Sequence, residues 1–249
     1  MPLSDTVVID PRFQGIPQIA LGGYVGGLLA GEWTEAEAVF RRPVPLGRRL
    51  RVEGLGGQET ALLDGQELLA KARPLRVDVP APTAVTLEES ETARRGYPGF
   101  SRHLFPNCFA CGTARAEGDG LRIFAGPVAG REAVASPWTP KQDLAVRSGE
   151  VASEYIWSAL DCPSIWALAM QEPLDSSERV VSARMAVQQM APVTPLEPHI
   201  VMAWAIGREG RTRTGGASIL SATGEICVVA RHTLLVTEWG VPLSLAGWK

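Results

Sequence analysis

Pro43-Val44-Pro45-Leu46, followed by Arg49-Leu50-Arg51-Val52-Glu53 and then by Asp64-Gly65-Gln66-Glu67-Leu68-Leu69-Ala70-Lys71-Ala72-Arg73, has a counterpart in the second half of the chain. There Pro192-Val193-Thr194-Pro195-Leu196 leads into His199-Ile200-Val201-Met202-Ala203-Trp204 and on to Thr223-Gly224-Glu225-Ile226-Cys227-Val228-Val229-Ala230-Arg231. The order is the same in both: an extended run ending near proline, a strand, a turn on Asp-Gly or Thr-Gly, and another strand. Glycine at such a turn takes the positive φ that a tight hairpin needs. An ordered series of this kind marks an internal repeat.

Working outward, a helix is expected before each repeat, at Gly22 to Ala30 and at Glu150 to about Leu160, followed by strands at Ala36 to Arg42 and Arg179 to Gln189. Each half therefore reads as a helix followed by three or more antiparallel strands, an α+β pattern. Between them, Val79-Pro80-Ala81-Pro82-Thr83 and the charged run from Glu88 to Arg95 read as a linker with one short helix. That places the expected units at residues 1–95 and 96–249, fused as a pseudo-dimer.

Composition excludes several classes. The 249 residues carry 24 Lys plus Arg against 27 Asp plus Glu, a net charge of -3, so no global positive field would hold a nucleic acid. Residues 13–31 contain no charge, but Gln14, Gln18, Pro17 and six glycines make the stretch too polar for a lipid-facing helix. Met1 to Arg12 includes Asp5, Asp10 and Arg12 and lacks the pattern of a secretory signal. Four cysteines in a chain of this length make no disulfide framework, and a reduced, cytoplasmic protein is expected.

The motifs narrow the chemistry. Gly22-Gly23-x-x-Gly26-Gly27 lacks the Lys-Ser/Thr of a phosphate loop and the dinucleotide spacing. Four glycines weaken a helix by about 2 to 4 kcal/mol relative to alanine, so something must approach its backbone closely. Either a packed sheet or helix does so, or a carbonyl held by the free N–H groups of the helix start. Asp161 lies among Trp157, Leu160, Ile165 and Trp166, apolar surroundings that raise a carboxylate's pKa and suit it to activate water or attack an acyl carbon. The alternative role is a cap for a helical segment opening at Pro163. Glu154, seven residues earlier, shares the face of a continuous helix and is the second candidate. Cys108-Phe109-Ala110-Cys111 has zinc-ligand spacing but no second pair, with Cys162 and Cys227 apart in sequence, so no metal and no cofactor are expected. His103, His199 and His232 fall in a loop and on strands, away from either helix, and no Gly-x-Ser-x-Gly elbow occurs, which counts against dehydration and against Ser-His-Asp hydrolysis.

Several stretches together resemble the double-hotdog acyl-CoA thioesterases and their thioesterase-like relatives. They are residues 22–30, Arg42-Pro43-Val44-Pro45-Leu46-Gly47-Arg48, Asn107 to Gly112 with Gly120-Leu121-Arg122-Ile123-Phe124, and Trp157 to Pro163. The resemblance implies two tandem hotdog units, each an antiparallel sheet wrapped around a central helix. It also implies hydrolysis of an acyl-CoA or similar thioester at the junction of the halves, by a homodimer of the double unit. The Gly23 and Tyr24 amides would polarise the carbonyl and Asp161 would be base or nucleophile. Gln14 and Gln18 would orient water or thioester, and Gly22 and Trp157 would line the substrate. Hotdog proteins also include non-catalytic carriers, so a module that only binds an acyl chain or CoA is the alternative.

Overall fold

A computed structural model describes residues 6–56, 58–146, 149–171 and 177–238. The chain runs β1 (Thr6–Val8), α1 (Gly22–Ala30), β2 (Glu35–Phe40), β3 (Arg49–Gly56), β4 (Glu59–Asp64) and β5 (Glu67–Pro74). Next come α2 (Leu87–Arg95), β6 (Gly126–Pro127), β7 (Ala133–Trp138), α3 (Ser153–Gln171), β8 (Glu178–Gln189), β9 (His199–Glu209), β10 (Thr212–Ser221) and β11 (Ile226–Glu238). All eleven strands among the described residues join one antiparallel sheet in the order β1-β3-β4-β5-β2-β8-β11-β10-β9-β7-β6.

The expected hairpins are present. Gly65, at φ +60°, turns β4 into β5, and Gly224, at φ +88°, turns β10 into β11. Strand order is mirrored about the β2–β8 seam, where Ala36 to Val39 pair with Val187 to Arg184: β3-β4-β5-β2 on one side, β8-β11-β10-β9 on the other.

Helix α1 spans the expected residues and α3 does not stop near Leu160. It continues through Pro163, which leaves one backbone carbonyl without its helical donor. The buried hydroxyls within it are satisfied locally, Ser158 Oγ donating to the Glu154 carbonyl at 2.6 Å and Ser164 Oγ to that of Asp161 at 2.7 Å. Tertiary packing holds such a helix together where local propensity alone would break it.

Helices α1 and α3 pack against each other beneath the sheet, α1 under β2 and β5, and α3 under β9 and β10. The glycines explain the close approach. A Cβ on Gly23 would lie 2.5 Å from the Trp157 carbonyl oxygen, one on Gly27 2.5 Å from Glu154 Cα, and one on Gly26 2.7 Å from the Trp157 ring. Their propensity cost is offset by fully burying Val25 and Leu29, worth ~1.5–3 kcal/mol each. Helix α2 opens with a capping box between Thr86 and Glu89 and lies over β6, β7 and β9, with Val85 and Ala93 in a second apolar cluster that includes Ile200, Met202 and Trp204. No described helix is long and apolar enough to cross a membrane.

Candidate active site

The N-terminal end of α1 faces the middle of α3 across a largely apolar cavity of about 260 Å³. Its walls come from residues 15–22, the 103–111 loop, α3 from Asp161 to Ala169, and the start of β8 from Arg179 to Ser182.

Asp161 is 2 % exposed and is positioned by a helix other than its own. Its Oδ2 accepts the Gly23 N–H at 2.6 Å, so the carboxylate caps the first turn of α1 from the side, where the helix dipole favours negative charge. The carboxyl is nevertheless pushed up to about 7, because burial outweighs the Gly23 hydrogen bond that lowers it. A methyl on Gly22 would stand 3.2 Å from Ser182 Oγ and 3.3 Å from Asp161 Oδ2, so both oxygens converge on that backbone. The Gly22 N–H meets no protein acceptor among the described residues and Gly22 lines the cavity.

Behind Asp161 lies a hydroxyl–imidazole chain. Ser164 Oγ, donating to the Asp161 carbonyl, is 2.7 Å from His232 Nδ1, and His232 Nε2 is 3.0 Å from Ser182 Oγ. With the single Ser164 proton on that carbonyl, Nδ1 carries the imidazole proton and Nε2 accepts from Ser182. Burial pushes His232 down to about 4, which keeps it neutral. Its Nδ1 lies 3.8 Å from Asp161 Oδ1, beyond hydrogen-bond distance. Ser182 reaches the site through a β-bulge. Arg184 pairs with Thr233 but Ser182 pairs with Leu234, so Ala183 is the extra residue and Ser182 turns toward the buried side.

The structure bears on each expected site residue in turn. Asp161, Gly22 and Gly23 meet at one place. The Gly23 amide is engaged by Asp161, which corrects its expected role as a donor to a substrate carbonyl. Asp161 caps no segment at Pro163, because α3 is continuous there. Tyr24, expected to act through its amide, does not line the cavity, and its ring stacks on Phe13 at 4.0 Å between centroids, meets Phe109 and Tyr155 edge-on and has its phenol raised by burial. Trp157 packs against Gly26, Glu154 against Gly27, and neither lines the cavity. Seven residues along α3 do keep Glu154 and Asp161 on one face, but Glu154 sits two turns away in the helix–helix contact, where burial raises its pKa. Gln14 Nε2 donates to the Asn107 carbonyl at 3.3 Å, Gln18 is exposed at φ +65° in a turn, and neither lines the cavity.

Sequence reading missed Ser182 and His232. His232 had a signal, because Val228, Ala230, Leu234 and Val236 of β11 are all buried, which sets the histidine on the inward face of an alternating strand. The bulge at Ala183 has none. Two premises are also corrected: His232 lies against α3, and Cys162 does not stand alone, since its Sγ is 3.5 Å from that of Cys108.

A scan of protein-family models gives no match to this chain, and a search of curated proteins gives none. Solved structures do match. A candidate thioesterase from Novosphingobium aromaticivorans superposes with a TM-score of 0.63 at 15% identity, covering 94% of this chain and 97% of that one. The TesB protein of Mycobacterium avium subspecies paratuberculosis gives 0.55 at 12% identity over 88% of each chain. A candidate thioesterase II from Thermobifida fusca gives 0.54 at 13% identity, over 94% and 92%. The chain shares the fold of these solved structures over most of its length.

Proposed function

We propose that the chain is a thioester hydrolase built from two tandem hotdog units, and that it cleaves an acyl-CoA or a related thioester in the cavity between α1 and α3. The mirrored strand order about the β2–β8 seam supports the tandem reading. The packing of α2 on β6, β7 and β9 favours dividing the units before Val85 over dividing them at residue 95. The four unpaired thiols fit a reducing, cytoplasmic setting, and pairing of two chains into a dimer belongs to the same reading.

The observation that carries the reading is a carboxylate held by a helix-terminal amide on the wall of an apolar cavity, with a free amide and a hydroxyl beside it. The acyl chain occupies the apolar space and the thioester carbonyl points at the Gly22 N–H, where the developing oxyanion gains from the positive end of α1. Asp161 takes a proton from water as the water oxygen attacks the carbonyl carbon. The tetrahedral intermediate then collapses, the C–S bond breaks, and the thiolate takes up the proton, giving acid and thiol. Ser182, with its proton turned to His232, offers its lone pairs to that water.

Direct attack by Ser182 with His232 as base is disfavoured. A neutral imidazole near pKa 4 is a weak base, and Asp161 does not hydrogen-bond to its Nδ1. The test is thiol release from short, long and aromatic acyl-CoAs. Release that is lost in Asp161→Asn supports the hydrolase. Tight acyl-CoA binding without release by wild type replaces it with the carrier reading.

A further inference from the structure

Beside the hydrolytic centre, the cavity wall carries a group of thiols that the proposed reaction does not use. Cys108 and Cys111 sit in the loop before β6, and Cys162 follows Asp161 on α3. The three sulfurs lie within 4.8 Å of one another, all buried, and Cys108 Sγ is 3.5 Å from Cys162 Sγ. We propose that Cys108, Cys111 and Cys162 form a thiolate site for a soft divalent metal of the zinc class.

Three observations converge on it. The spacing is right: tetrahedral zinc at ~2.3 Å from each sulfur places sulfurs ~3.8 Å apart, so a small expansion of the observed cluster admits the ion. The loop brings two of the sulfurs together, Cys108 and Cys111, and sets them against Cys162 of α3. The turn itself needs Gly112, whose amide donates to the Cys108 carbonyl at 2.9 Å and where a Cβ would lie 2.5 Å from the carbonyl oxygens of Cys108 and Pro106. Three thiols gathered without a disulfide in an apolar wall present three ligand atoms to one point, and a divalent ion would neutralise the charge of the thiolates that bind it.

His103 holds the cluster without being its fourth ligand. Its Nδ1 accepts the Phe105 N–H at 3.0 Å, which leaves the proton on Nε2, 3.1 Å from the Cys111 carbonyl and 3.3 Å from Cys111 Sγ. A ligating histidine donates through its other nitrogen, and this one accepts there. His103 is thus an N–H donor that orients Cys111. The fourth position falls to a water from the cavity, which all three cysteines line.

The test measures metal in the full-length protein. Wild type purified from zinc-supplemented cells and passed over a weak chelator should retain about one zinc per chain. Cobalt(II) in its place should give thiolate-to-cobalt charge-transfer absorption. Cys108→Ser and Cys162→Ser should each lose the ion and the absorption. Cys227→Ser, at the distant start of β11, should keep both. Where a serine variant fails to fold, cobalt titration of wild type is read alone. Wild type that binds neither zinc nor cobalt overturns the site, as does full retention by folded Cys162→Ser.

Discussion

Helices α1 and α3 precede the two strands that meet at the β2–β8 seam, and they are built from opposite materials. Helix α1 is Gly-Gly-Tyr-Val-Gly-Gly-Leu-Leu-Ala, nine residues without a charged side chain. Helix α3 is nineteen residues long and buries Ser158, Asp161 and Ser164. The first contributes backbone: amides at its N-terminal end and a glycine stripe thin enough for α3 to reach it. The second contributes the side chains, together with Ser182 and His232 from its own strands. The site is thus asymmetric, with α3 keeping the acid and α1 giving up side chains so that the acid meets a helix end.

The sharpest way to break this arrangement is to put a side chain back on α1. Gly23→Ala gains about 1 kcal/mol in helix propensity, but its methyl falls 2.5 Å from a backbone oxygen that cannot rotate away. Overpacking against backbone wins, with an expected loss of ~3 kcal/mol or more by urea unfolding. Gly54→Ala, where nothing lies within 4 Å, should change stability by no more than about 0.5 kcal/mol. Equal losses in the two variants would show that the stripe is not a packing device.

The α3 side is tested through His232, whose pKa falls from an unfolded value of 6.5 to about 4 on folding. A group depressed in the folded state contributes stability that is present above its unfolded pKa and is lost as pH falls toward its folded one. Between pH 6.5 and 4 wild type should therefore lose ~3 kcal/mol relative to His232→Gln, which does not titrate. Asp161 faces position 232 in both proteins, so the difference between their unfolding free energies isolates the imidazole. Parallel pH profiles would mean that His232 is not held neutral.

Asp161→Asn separates the roles of the shared carboxyl. The amide oxygen can still accept from Gly23, so the link between the helices survives while the base is gone. Thiol release should fall by ~10²-fold or more with little change in the melting temperature. A large loss of stability with activity retained per folded molecule would make Asp161 a cap alone.

What could be read from the chain follows the range over which each signal acts. The hairpins at Asp64-Gly65 and Thr223-Gly224, the limits of α1 and the apolar setting of Asp161 depend on residues a few positions apart, and they are where the sequence places them. The close approach of α1 and α3 was one of two readings of the glycines, and contacts made 130 residues away decide it. The run of α3 through Pro163 is settled by packing, which no local rule contains. Gly23 finds Asp161 only after the sheet closes at β2–β8, Cys108 finds Cys162 only when the loop before β6 folds onto α3, and Ser182 finds His232 only when β8 pairs with β11. The last of these also needs a bulge that shifts which residues of β8 face inward.

That bulge makes Ser182→Ala the finest probe of the comparison. Removing the hydroxyl deletes one hydrogen bond to the attacking water and leaves His232 Nε2 without its donor, but it removes neither base nor oxyanion donor. One neutral hydrogen bond contributes about 1 kcal/mol, so thiol release should drop roughly tenfold, well short of the Asp161→Asn loss. Ser182→Thr keeps the hydroxyl and should recover most of the rate where its extra methyl is accommodated against Gly22, a position at which a Cβ would lie 3.3 Å from Ser182 Cβ. The two variants together distinguish positioning from attack. A serine that orients water leaves a tenfold-slower enzyme with an unchanged pH profile. A serine that attacks the thioester itself leaves almost none, and a labelled acyl group would then be found on Ser182 of wild type after rapid quench. Detection of that acyl-serine would move the chemistry from the carboxylate of α3 to the strand beside it, and Asp161 would be left with the Gly23 amide as its only task.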